Sequence, residues 1–192
     1  MSFKYAAVAA ALGLSLTGTV DAEEYTIDPA HTLVSFQLNH LGFSKTIGWF
    51  GDVTGTIDYQ ADDITASSVS ATLAVGSVNT NHDERDGWIK SDKVLNVAAN
   101  PSITFTSTGI VRTSDTTGTI TGELTMNGQT LPVTLDATFN GAGENPISKQ
   151  QTLGVSATGT LIRSDWGVSA FAGPLGDAVS IQIELEAVKA DG

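Results

Sequence analysis

The sequence predicts an all-β protein of about eight antiparallel strands, and two observations carry that prediction. Apolar residues alternate with hydroxyl-bearing ones at a period of two from residue 31 to the C-terminus, with no long helical stripe. Turn-forming pairs recur between the alternating runs, at Asp62-Asp63, Ser114-Asp115, Asn127-Gly128, Gly141 to Pro146 and Gly173 to Asp177. The chain has no cysteine, so no disulfide framework substitutes for a buried core.

The chain opens on a leader. Lys4 supplies a positive charge, Ala7 to Leu16 an apolar run, and Val20-Asp21-Ala22 a small-residue cleavage pattern. Residues 1–22 therefore read as a signal peptide, too short and too rich in Ala and Gly for a comfortable membrane span. Residues 23–192 read as a single domain without a linker.

The strands follow in order. In the first, Leu33 and Val34 compete for the inward parity. Ile47, Trp49, Val53, Ile57 and Tyr59 share one parity, with Gly51 and Gly55 between them and Thr46, Asp52, Thr54, Thr56 and Asp58 on the other. That pattern fits two half-buried strands or one long bent strand. Val69, Ala71, Leu73 and Val75 repeat it, as do Ile103 and Phe105, then Ile120, Gly122, Leu124 and Met126. Leu131 to Phe139, Leu153 to Leu161 and Val179 to Leu185 complete the series. Asn127-Gly128, flanked by apolar alternation, predicts a tight hairpin, because both central residues of a type I′ turn need positive φ. Residues 82–100 break the rhythm and suit one or two short helices ended by Asn100-Pro101, placed as a lid or plug. A closed up-and-down barrel and a two-sheet sandwich both accommodate the strand count.

Charge and face chemistry narrow the function. The formal net charge is −12, which removing the leader leaves unchanged and which disfavours nucleic acid and anionic bilayer surfaces as partners. An outer-membrane barrel needs an apolar exterior, whereas here the second face is Thr, Ser and Asp. The apolar face therefore points inward, and its small members, Gly51, Gly55, Ala71, Gly122, Ala137, Ala157 and Gly159, either leave a cavity or fit the taper of a packed barrel. His31, His40 and His82 lack metal-ligand spacing, and neither a nucleophile elbow nor a phosphate loop occurs, so no metal, cofactor or catalytic residue is assigned. Arg85-Asp86 and Arg163-Ser164-Asp165-Trp166-Gly167 are set either to pin loops or to meet a ligand head group.

The mature chain resembles the YceI-like family of secreted polyisoprenoid-binding proteins. The likeness runs through Tyr25-Thr26-Ile27-Asp28 with His31, Val34-Ser35-Phe36, Asn39-His40-Leu41-Gly42-Phe43-Ser44, Gly48-Trp49-Phe50-Gly51 and Val78-Asn79-Thr80 with Arg85-Asp86. It continues through Ser91-Asp92, Pro101 to Thr108, Gly122 to Gly128, Pro132 to Leu135, Arg163 to Gly167 and Asp177-Ala178-Val179. The chain departs from the pattern at Val94-Leu95 and at Ala98-Ala99-Asn100.

The resemblance implies a lipocalin-like antiparallel barrel with a short helical lid near 83–98, in the periplasm, enclosing a long-chain isoprenoid lipid or quinone without catalysis. On that reading Val34, Phe36, Leu38, Trp49, Leu73, Phe105, Leu124, Leu135, Phe139, Val155 and Ile183 line the tail, and His40, Arg85, Arg163 and Asp165 serve the head group or lid. Some relatives are associated with fatty-acid-type amides, and a homodimer is compatible with the reading. The rivals are a ligand-free structural or stress-related barrel and a lipid-ester hydrolase. The acidic balance favours a neutral head group over a phosphate.

Overall fold

The computed structural model describes residues 22–190. The predicted signal peptide, apart from Ala22, lies outside the described residues. Eleven strands form one antiparallel sheet: β1 Glu23–Ile27, β2 Leu33–His40, β3 Ser44–Phe50, β4 Val53–Tyr59, β5 Ser68–Ala74, β6 Val78–Asn79, β7 Ser102–Arg112, β8 Thr117–Met126, β9 Gln129–Glu144, β10 Gln151–Ile162 and β11 Ala178–Lys189. Pairing of β1 with both β4 and β11 closes an eight-stranded barrel, β1-β4-β5-β7-β8-β9-β10-β11, and β2, β3 and β6 extend it from the lower half of β11.

The break between β1 and β2 is satisfied by one side chain. Thr32, 4% exposed, both donates to the Glu186 carbonyl and accepts from the Glu186 amide through Oγ1, so β11 keeps its hydrogen bonds where the partner strand changes. Val34 is buried and Leu33 exposed, which decides the parity of β2.

The alternation expected across residues 47–59 is interrupted. Ile47 faces solvent and Trp49 is half-buried, while Gly48 and Phe50 take the buried positions of β3. Gly51-Asp52 lies between the two strands, and the buried parity resumes at Val53 and Ile57 in β4. Two residues outside the ladder are enough to change which parity faces inward, so the pattern cannot be carried through a bend.

Two turns show how local chemistry sets the register. Asn127 and Gly128 have φ of 50° and 78°, as the type I′ expectation requires, and Met126 pairs with Gln129 across them. The turn expected over Gly141 to Pro146 instead begins later, because β9 runs on to Glu144; Gly141 sits at φ 143° beside a register shift that leaves Asn140 unpaired in a β-bulge.

Gly55 has φ 149°, and a Cβ there would collide with the Ser70 carbonyl oxygen of β5. Gly55→Ala therefore costs about 3 kcal/mol, from backbone strain and displacement of the neighbouring strand. Chemical denaturation checks this: a lower midpoint at unchanged slope is the expected result.

The outer face confirms which side meets water. Thr54, Thr72, Thr104, Thr125 and Thr130 are consecutive cross-strand neighbours over five strands, and Thr125 and Thr130 share a hydrogen bond of 2.8 Å. No helix among the described residues is long and apolar enough to cross a membrane.

One barrel end is plugged. Helix α1, Asp83–Lys90, is capped by His82 and carries Asp83, Glu84 and Asp86 in its first turn and Lys90 in its last, matching the helix dipole at both ends. Trp88 and Ile89, with Val94, Leu95 and Val97 from the turns that follow, pack on the main core cluster. A second short helix, α2 (Ala172–Leu175), lies beside it, with Phe171 against Trp88 at 5.6 Å between ring centroids.

Candidate ligand-binding cavity

Between the plug and the other end the barrel is hollow. The cavity has a volume of about 390 Å³, within the range of small-molecule sites. Its wall is built from the inward parity of every strand of the closed ring except β1, together with Val34 and Phe50 from the annex.

The small inward residues divide into two groups. A Cβ on Gly122 would strike the Phe105 ring, one on Gly159 would come within 2.7 Å of Leu135, and one on Gly48 within 2.5 Å of the Phe36 ring. Those glycines are already filled by their neighbours and serve packing. Ala71, Ala137 and Ala157 face the cavity itself, and the last two are direct cross-strand partners, so only methyl groups project from that stretch of wall.

The open end lies between the β4–β5 loop and the β7–β8 turn. Ala61, Ile64 and Ser67 form one rim, and Arg112, Ser114, Asp115, Thr116 and Thr117 the other. Tyr59 stacks on Phe139 with centroids 5.8 Å apart and meets Tyr25 edge-on at 5.9 Å, an aromatic collar just inside. Arg112 and Asp115 are the only charged residues of the wall, and both are exposed. Below them the lining is aliphatic and aromatic. A water molecule inside would find few of the two to four polar partners it needs, so the space suits apolar matter.

Eight residues expected to line a tail are on this wall: Val34, Leu73, Phe105, Leu124, Leu135, Phe139, Val155 and Ile183. Phe36, Leu38 and Trp49 are not. Phe36 covers Gly48 and packs against Phe50 at 5.7 Å, in the annex rather than the barrel lumen. Leu38 and Trp49 are half-buried on the same annex strands. Phe50, Val53 and Ile57 line the wall although sequence reasoning passed over them as ligand contacts; their signal was the inward parity itself, obscured at Phe50 by the bend.

The four residues expected at a head group or lid are away from the wall. His40 is exposed at the end of β2. Arg85 donates from Nε to Thr80 Oγ1 and from Nη2 to the Thr80 carbonyl, both at 2.7 Å, while the buried Asp86 accepts from the Thr80 amide at 2.9 Å and from its hydroxyl at 2.5 Å. These two side chains clasp Thr80 and fix α1 to β6.

Arg163, 7% exposed, donates from Nε to the Gly176 carbonyl at 3.1 Å and from Nη1 to the Val168 carbonyl at 2.9 Å. Its Nη2 has no partner. Burial pulls the guanidinium pKa down and the nearby Asp177 carboxylate opposes that shift. Asp165 is exposed. A charge in the sequence marks a demand for partners, and here backbone carbonyls and a threonine meet that demand at the plugged end.

The remaining histidine of interest, His31, is in the turn joining β1 and β2, with Nδ1 2.6 Å from Asp28 Oδ2. The carboxylate raises the imidazole pKa, and the imidazole, with the Ala30 amide, lowers that of Asp28. The raised value means that His31 contributes to folding fully below its unfolded pKa and loses the contribution as pH climbs through the folded one. Asp28 contributes above its unfolded pKa and loses that as pH falls through its own depressed value. An NMR titration of His31 should give a midpoint above that in Asp28→Asn; equal midpoints would show that the pair is not formed in solution.

The comparisons with known proteins agree with this architecture. The model of the YceI-like domain matches residues 25–187. Protein YceI of Salmonella arizonae is 39% identical over 178 residues, which is 92% of each chain. Burkholderia cenocepacia BcnA superposes with a TM-score of 0.76 at 21% identity, covering 84% of this chain and 99% of that one. A polyisoprenoid-binding domain from Saccharophagus degradans superposes at 0.62 and 16% identity, covering 86% of this chain and 98% of its own. With the family model spanning the whole barrel and the Salmonella protein matching almost end to end, the chain belongs to the YceI-like domain family.

Proposed function

We propose that this protein is a periplasmic binding or carrier protein that encloses the chain of an isoprenoid lipid or isoprenoid quinone, released as residues 23–192 after removal of its leader. The observation that carries the reading is the apolar cavity of about 390 Å³, open at one end and plugged at the other. Each methylene moved into it from water contributes about 0.8 kcal/mol. The description of the Saccharophagus degradans domain as polyisoprenoid-binding supports the ligand class.

The role is binding rather than catalysis. None of the three histidines lines the cavity, so no imidazole faces the lumen to act as a base. The bilayer is as apolar as the lumen, so selection depends on shape and on the rim.

The test is direct uptake. Delipidated protein is mixed with an isoprenoid quinone and passed through a sizing column without detergent. Co-elution near one quinone per chain is expected, and quinone retained entirely apart from the protein would overturn the reading.

A further inference from the structure

The rim facing solvent carries one charged pair, Arg112 and Asp115. We infer that the polar end of the ligand is uncharged and is met at the β7–β8 turn by Arg112, while long-chain carboxylates and phosphates are excluded there; this rests on the lipid-binding reading above.

The Arg112 guanidinium is held in place by its own turn. Nε donates to the Ser114 carbonyl at 2.7 Å and Nη2 to Asp115 Oδ1 at 2.8 Å. Two of its five N–H donors are thereby used, and the others remain for an acceptor at the opening. Its charge is already balanced by Asp115. The neighbouring cations of this end are likewise matched, Lys149 with Glu144 at 3.4 Å and Lys189 with Glu23 at 2.6 Å. The neighbouring β4–β5 loop places Asp62 and Asp63 between the lining residues Ala61 and Ile64, with the Asp63 carboxylate accepting from the Thr65 amide.

An anionic head arriving at Arg112 would therefore stand beside Asp115, with Asp62 and Asp63 on the adjacent loop and no unmatched cation among the described residues of this end to receive it. A carbonyl or hydroxyl oxygen takes the free N–H groups without that repulsion, and the hydroxyls of Ser114, Thr116 and Thr117 supply donors and acceptors around it. The wall below is nearly all aliphatic and aromatic, so the chain enters first and the head stays at the turn, where the polar groups are concentrated.

Hexadecanol and hexadecanoate share one chain and differ in head charge, which isolates the rim. Both are titrated at pH 8 by displacement of an apolar fluorescent dye from the native protein. Hexadecanol is expected to bind at least tenfold tighter. Asp115→Asn should narrow the preference for hexadecanol over hexadecanoate at least threefold, and Arg112→Gln should weaken hexadecanol about fivefold. Hexadecanoate binding as tightly as hexadecanol, or both variants leaving the ratio untouched, would overturn the head-group assignment while the cavity reading stood. Failure of both probes to displace the dye, with isoprenoid quinone also excluded, would overturn the cavity reading and this inference together.

Discussion

Ala157→Phe should abolish long-chain binding while leaving the barrel folded. Ala157 is 4% exposed, lines the cavity, and sits between Ala137 of β9 and Ile183 of β11. A phenyl ring there projects into the lumen and displaces about four methylenes of the ligand, a loss of about 3 kcal/mol at 0.8 kcal/mol each. That corresponds to a fall in affinity of about a hundredfold. Thr158, the next residue, points outward, so Thr158→Phe provides the control. Ligand titration of the two variants checks the parity of the whole strand: loss in the first and no change in the second is expected. An unaffected Ala157→Phe would mean that the ligand does not pass through the lumen.

Trp166→Ala should have the opposite profile, a large loss of stability with little direct effect on binding. Trp166 is 3% exposed and belongs to the main core cluster. Its Nε1–H donates to the Leu124 carbonyl at 3.1 Å, and its own carbonyl accepts from the Asn127 side chain at 3.0 Å, which ties the turn after β10 to the β8–β9 hairpin. Removing the indole leaves a cavity and an unpaired buried carbonyl, a cost of about 4 kcal/mol. For a chain of this length that lowers Tm by about 12 °C. Because Trp166 is absent from the cavity wall, the fraction still folded should keep its affinity. Calorimetry and titration on the same preparation separate the two quantities.

How much of this was legible beforehand varies residue by residue. Eight of the side chains expected to line a tail stand on the cavity wall, since a strand's faces are dictated by parity and one face had to be buried. The type I′ hairpin at Asn127-Gly128 was legible because few residues accept its backbone angles. Phe50 and Trp49 exchanged roles because Gly51-Asp52 lies outside the ladder, and the pattern carries no count of unpaired residues. Asn140 extended β9 for the same reason, through a bulge.

The rim was the least legible part. Arg112-Thr113-Ser114-Asp115 reads as an ordinary polar turn, and only the closure of the barrel reveals that this turn stands at the open end. Arg85 and Arg163 stood out in the sequence as set either to pin loops or to meet a head group, and their partners are Thr80 and the carbonyls of Val168 and Gly176, groups that no charge pattern displays.

The claim on which the rest depends is that the lumen is filled by a long apolar molecule in the cell. Native mass spectrometry of the protein purified without detergent from its own compartment, followed by organic extraction, measures this directly. The expected result is a stoichiometric mass increment that dissociates as an isoprenoid lipid or quinone, and that is missing from Ala157→Phe. A bare polypeptide mass for the native protein, together with no uptake of added isoprenoid quinone, would contradict the account.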